Sequence, residues 1–506
     1  MDEKGERKKE HGQEDKGYFL LLFAACLLPF LLLCTLNSAG YRYGASDLAF
    51  YIPAALEKLN PSLFPRDGAL IASQARLTMI DEVIAALSRV TGLALPSMFV
   101  TLYCATLAVL LAGACSFGQR LYRSQWTTMA LVAALTLRHA IARSGTNTLE
   151  GYFHPRQLAF GLGVLALAAM MRHRLTLGWM LVVVAGLLHP TTALWFAIWL
   201  TVATWVNEPR WRRSLLGLAC AVAVAGVWAV TAGPLAGRLV IMDAEWLATL
   251  ETKDYLFPLE WPAYVWLLNL LCAPVILLAY RRRYLTNSLA PGERGLVWGV
   301  LSLLLVFAIA LPLNAARVAL VIQLQIPRVF WMLDFLAMVY LVWAIAEGTT
   351  PSVRRGQLAL LVIAAVSISR SAYVRFVRFP DRPIAEIGIA DNDWGRVMAW
   401  ARATPSGTGW LAHPGHAGKY GTSLRVAGER DVLVEAVKDT AIGMYERDVA
   451  IRTRDRIREV EEFDQITPDR ARALAAQYGL DFLVTSAQLE LPLAYSSGAL
   501  RVYRLR

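Results

Sequence analysis

Apolar residues run through this chain in blocks. Those at 17–36, 94–115, 126–142, 157–171, 175–188, 191–206, 214–236, 261–280, 295–313, 327–346 and 357–370 read as helices crossing a hydrocarbon core about 30 Å thick. That makes about 11 transmembrane helices, with a range of 10–12 because 126–142 and 157–206 can be redrawn. "GYFLLLFAACLLPFLLLCTL" (17–36) is longer than a typical signal-peptide core and lacks a small-residue cleavage site, so it reads as a retained first span. Residues 1–16, "MDEKGERKKEHGQEDK", are too charged to pack and read as a disordered cytoplasmic lead.

Two stretches break the block pattern. In 37–93, Leu48, Tyr51, Ile52, Ala55, Leu56 and Leu59 recur at helical spacing, as do Ile80, Val83, Ile84, Leu87 and Val90. The opposite faces carry Asp47, Glu57 and Lys58, then Asp81, Glu82 and Arg89, which predicts two interfacial helices half in water. In 381–506, helical runs ("WGRVMAWARAT", "PDRARALAAQYG") alternate with short β-prone ones ("GWLAHP", "LRVAG", "DFLVTS", "ALRVYRL"). The expected fold is an α-helical polytopic membrane bundle over 17–370, with an external loop 37–93 and a small C-terminal α/β soluble domain over 381–506.

Composition agrees: 56% of residues are hydrophobic and 18% charged, against about 45–50% and 25% in soluble domains. The net charge of +11 does not point to nucleic acid, because from Ser371 onward 19 Lys and Arg meet 18 Asp and Glu. The excess lies among the spans, at "RLYR" (120–123), "RHR" (172–174), "RWRR" (210–213), "RRRY" (281–284) and "RR" (354–355). By the positive-inside rule these junctions and the N-terminus are cytoplasmic. The loop 37–93, the carboxylate-rich stretch 240–260 and the tail are then outside. All six cysteines sit in apolar segments without metal-ligand spacing.

Asp47 stands just past the first span, where it either caps the following helix or offers a free carboxylate at the membrane border. Cations within or beside later spans are Arg138, His139, His154, Arg156, His189, Arg317 and Arg328. A charge at the centre of a spanning helix costs about 2.5–3.5 kcal/mol on insertion scales, so such groups pair or face a wet cavity. Arg156, His189 and Arg328 fall at outward helix ends, on the side of Asp47. Snorkelling arginines and His-Pro helix breaks would produce the same pattern. Arg328 and Asp334 could also pair with each other, or either with Arg317. "HPGH" (413–416) lacks further ligands for zinc, and the mixed-sign run 446–463 reads as a solvated helix face.

"GASDLAFYIPAALEKLNPSLFPRD", "GYFHPRQLAFG", "LLHPTTALWF" and "IPRVFWMLDFLAM", set in a chain of this architecture, resemble bacterial members of the GT-C superfamily. These are membrane glycosyltransferases that use polyprenyl-phosphate-linked sugars. The resemblance implies inverting transfer at the outer face of a bacterial inner (plasma) membrane, to a glycan, lipid or protein acceptor, with membrane lipid around the site. It places the first-loop acid on Asp47 and a second acidic cluster on Asp243 or Glu245. A lone Asp is as compatible with no metal as with one Mg²⁺ or Mn²⁺. Such transfer needs a carboxylate for the acceptor proton, cations for the leaving phosphate and a groove for the lipid. The expected set is Asp47 as the catalytic residue, with Arg138, His154, Arg156, His189, Arg328, Asp243 and Glu245 binding substrate. The alternatives are a transporter or lipid-handling protein, although related halves are not visible, and a non-catalytic scaffold for envelope assembly.

Overall fold

Long apolar blocks form long helices. In this computed structural model, which describes residues 21–348 and 352–506, six are long and apolar enough to cross a membrane. They are Leu95–Leu121, Pro209–Thr231, Ala263–Leu285, Glu293–Ala315, Ala319–Ala346 and Val353–Arg378. Leu21–Asn37, Pro155–Met170 and Leu175–Leu188 are apolar but shorter. Length and hydropathy thus support six spans, and the count of about eleven is not established. The charged lead 1–16 lies outside the described residues.

The block 126–142 departs from expectation. Its helix stops at Gln125–Ala134, and a short hairpin follows, pairing Ala140–Ile141 with Thr146–Asn147. Polar residues take over the backbone bonds there: Thr148 donates its N–H to the His139 carbonyl at 2.9 Å, and the Thr148 hydroxyl accepts from the His139 N–H at 2.9 Å.

The bundle has a centre and a rim. Of the most apolar window of Ala319–Ala346, 72% is buried, against 6% for Pro209–Thr231, whose Val222, Val224, Val227 and Trp228 point outward as a lipid-facing surface does. The helix Pro155–Met170 packs backbone to backbone: a Cβ on Gly161 would lie 3.1 Å from the Leu110 nitrogen. One arginine of "RRRY" is not a free topological charge. Arg283 is buried, with Nε 2.6 Å from Glu293, whose carboxylate also accepts from the Tyr340 hydroxyl at 3.0 Å.

In the C-terminal region five strands form one sheet, in the spatial order Asp431–Val432, Gly409–Leu411, Phe482–Thr485, Leu500–Arg504 and Leu493–Ser497. The first three are parallel and the last two pairings antiparallel. Side chains alternate between faces. Leu411 and Leu483 meet Ala471 and Leu474 of the helix Pro468–Tyr478, whereas Trp410, Val484 and Val502 meet Trp394, Val397 and Met398 of Asp393–Arg402. "LRVAG" is not a strand: Leu424–Ala427 is a short helix capped by the Ser423 hydroxyl, which accepts the Arg425 N–H at 3.2 Å. Burial of Arg425 in ion pairs overrides the β-propensity of the run.

This region is clamped to the 37–93 segment. Asp67 is buried and accepts from Arg425 Nε at 2.7 Å, from Arg452 and from the Val432 N–H at 3.2 Å. Asp431 in turn accepts the N–H groups of Arg66 and Asp67 at 3.1 and 3.0 Å. The helix Arg447–Glu459, expected to be a solvated face, therefore carries part of the clamp on Arg452 and Arg456.

Candidate active site

Two His-Pro steps build one wall. Proline at a helix's first position forgoes an N–H that would be unsatisfied anyway, and the preceding histidine caps. His154 Nδ1 accepts the Arg156 N–H at 3.2 Å before the helix Pro155–Met170, and His189 Nδ1 accepts the Thr192 N–H at 3.3 Å before Pro190–Asn207. With Nδ1 an acceptor in each ring, the proton sits on Nε2. The two rings lie 6.2 Å apart, so two helix N-termini, each with a positive dipole end, open on the same space.

Asp47 lies opposite. Its carboxylate makes no cap bond to its own helix, which removes the capping alternative. Oδ2 accepts from His154 Nε2 at 3.1 Å, and Oδ1 from Lys438 Nζ at 2.6 Å. Burial pushes its pKa up, but Lys438 and then His154 outweigh that and hold the carboxyl well below the ordinary value. Burial, reinforced by Arg156, drives His154 down to about 3, so the ring is neutral and donates to a carboxylate.

These residues line one cavity of about 210 Å³ with Arg156, His189, Lys253, Arg328, Lys438 and the tyrosines Tyr51, Tyr255 and Tyr445. Among the described residues Asp47 is the only carboxylate in the lining. Arg156 is held from behind by Glu150, at 3.0 Å, and by the Gly145 carbonyl, at 3.1 Å. Gly145 adopts φ +67°, and a Cβ there would press on the Tyr255 ring at 3.1 Å, so this wall requires glycine. Arg328 has no ion pair among the described residues, and its buried Nε has no hydrogen-bond partner.

The sequence candidates are thus divided. Asp47, His154, Arg156, His189 and Arg328 meet in the cavity. Arg138 stands behind it, 3.8 Å from Glu150. Asp243 and Glu245 are outside the lining: Asp243 caps its helix by accepting the Trp246 N–H at 2.9 Å, and both carboxylates pair with Arg447. Asp334 pairs with His139 at 2.9 Å and Arg317 with Glu260 at 2.6 Å, so neither joins Arg328. His416 is buried and caught by the His413 carbonyl at 2.8 Å. Sequence reasoning missed Lys438, Lys253 and the three tyrosines. Lys438 stands in "EAVKDTAIG", where no spacing or motif sets it apart from a surface lysine.

No family model and no curated protein matches the sequence. Among solved structures, the chain resembles the arabinofuranosyltransferase AftD from mycobacteria, with a TM-score of 0.52 and 15% identity. The match covers 96% of this chain and 40% of that one. At this identity the likeness shows the fold alone.

The donor set does not suit a divalent cation. Both Asp47 oxygens already accept from Lys438 and His154, four further lining positions are cations or imidazoles, and among the described residues no group of three or more His, Cys, Asp or Glu forms a metal-ligand set.

Proposed function

We propose that this chain is a membrane glycosyltransferase that moves a sugar from a polyprenyl-phosphate donor to an acceptor hydroxyl at the outer face of a bacterial plasma membrane. The observation that carries the proposal is the pairing of one carboxylate, Asp47, with Arg156, Arg328, Lys253, Lys438 and two His-capped helix N-termini around one cavity. A lone base beside a cationic wall matches a reaction whose nucleophile loses a proton while its leaving group gains negative charge.

In this reading the acceptor hydroxyl attacks the anomeric carbon from the side opposite the phosphate and gives its proton to Asp47. The bond between anomeric carbon and phosphate oxygen breaks, and its electron pair leaves with the polyprenyl phosphate. Arg156, Arg328 and the Nε2–H of His189 receive that phosphate. The single displacement inverts the anomeric configuration. The low proton affinity of Asp47 stems largely from Lys438, and a donor phosphate entering the cavity competes for that lysine. As Lys438 turns to the phosphate, the carboxylate becomes more basic. No metal takes part in this scheme.

The test is turnover of a panel of polyprenyl-phosphate sugars by the purified full chain in lipid, beside Asp47→Asn. Transfer by the wild type alone is the expected result. Transfer that survives the substitution would remove Asp47 from the reaction, and solute uptake without transfer would replace the enzyme with a transporter.

A further inference from the structure

A second cavity among the described residues is larger than the one at Asp47. It encloses about 460 Å³ between the end of the last spanning helix and the C-terminal region, within the usual size range of ligand sites. Arg42, Arg378 and Arg382 line it, together with Phe379, Trp394 and Tyr420. None of the three guanidinium groups takes part in an ion pair among the described residues. Asp381 and Glu386 also line the cavity, yet neither lies within ion-pair distance of the arginines, although Arg42 and Glu386 are direct strand partners. The Arg382 guanidinium is 3.9 Å and that of Arg378 5.3 Å from the Phe379 ring centroid, so one aromatic ring contacts two of the cations. Burial, then repulsion from Arg42, presses Arg382 below its ordinary pKa, with Glu386 opposing and Arg378 adding to the shift. The three arginines outnumber the two carboxylates of the lining, and an anion would offset the remaining positive charge.

The position says where that anion comes from. Arg378 ends the apolar helix Val353–Arg378, and Tyr373, Phe376 and Val377 just before it are 55%, 72% and 65% exposed. Across the same border Ile384 and Ile387 are also exposed. With Val353–Arg378 as a membrane span, a basic cavity at its end rimmed by outward apolar side chains would fall near the lipid headgroups. Trp394 and Tyr420, stacked at 4.6 Å, also line it.

We infer that this cavity binds the phosphate headgroup of an anionic membrane lipid, at a site separate from Asp47. The headgroup phosphate sits among Arg42, Arg378 and Arg382, and the acyl chains run down past Phe376 and Val377. The site goes beyond the transfer reaction and does not depend on it.

Native mass spectrometry of the full chain in detergent, with added phosphatidylglycerol or phosphatidylcholine, tests this. Phosphatidylglycerol should be retained under activation that strips phosphatidylcholine. Arg42→Gln/Arg378→Gln/Arg382→Gln should weaken its apparent binding about a hundredfold, at roughly one kcal/mol per arginine. If that variant fails to elute as a folded species, Arg378→Gln alone should weaken it about fivefold. Asp47→Asn should leave retention unchanged, which separates this site from the reaction centre. Equal retention of both lipids, or a preference that survives the arginine substitutions, would overturn the proposal. So would protection against heat by excess inorganic phosphate with none by phosphatidylglycerol, which would make the ligand a soluble phosphate.

Discussion

Asp47 and Asp67 come from the same loop, are both held by cations of the C-terminal region, and do different work. The Asp67 side chain is 1% exposed, and its oxygens are consumed by Arg425, Arg452 and the Val432 N–H. Arg425 is itself shared with Asp439, through 2.6 and 3.0 Å contacts. The Asp47 side chain is 25% exposed and shares its surroundings with more cations than it can neutralise. A closed set of partners makes a clamp. An open set, beside an Arg328 that has no ion pair among the described residues, is what the proposed phosphate ligand would complete.

Substitutions sharpen this contrast. Asp47→Asn should lower transfer about 10²- to 10⁴-fold, as loss of a positioned base does, with thermal unfolding changed far less than by the Asp67 variant. Asp67→Asn should cost about 3–5 kcal/mol of stability, read from heat or denaturant unfolding, because it removes the buried carboxylate shared by Arg425 and Arg452 and leaves Arg425 with Asp439 alone as a close partner. Its folded fraction should keep normal turnover. If instead both variants lose activity at unchanged stability, the distinction between clamp and site is gone.

Arg328→Gln should lower turnover roughly 10²-fold while leaving the unfolding midpoint level or higher, since it removes an unpaired buried charge. A clear loss of stability would mean that Arg328 has a structural partner. The smallest effect concerns pH. Burial pushes Glu435 up to about 7 and, with Asp67 nearby, Asp431 up to about 6. Both carboxyls hold protons in the folded state at a pH where the unfolded chain has released them, so stability should fall as pH rises from about 5 to 8. Asp67 has the opposite sign: its lowered pKa stabilises above the ordinary carboxylate range and is lost on strong acidification. Melting temperatures across that window should drop by a few degrees in the wild type and by less in Glu435→Gln.

The helical blocks, the amphipathic loop helices and most of the C-terminal helices and strands were legible from periodicity, because burial of a repeating face is decided within a few turns. The His-Pro steps were visible too, though as an either-or between helix break and ligand. In the structure each ring caps its helix through Nδ1 and lines the cavity, His154 turning Nε2 to Asp47. The hairpin after Ala134 and the helix at Leu424–Ala427 were misread, since in both polar side chains recruit the backbone into contacts that no apolar pattern announces.

By itself the sequence determined that this is a membrane protein of helical blocks, with an acid beyond the first span and cations at the ends of later helices. Which charge meets which was left to the tertiary structure. Lys438 reaches Asp47 from 391 positions away, Arg425 reaches Asp67 from 358, and Asp243 is drawn off to Arg447. Hydrophobic period is a local property of the chain. The choice of ionic partner depends on distances and desolvation that exist only once the loop and the C-terminal region have docked.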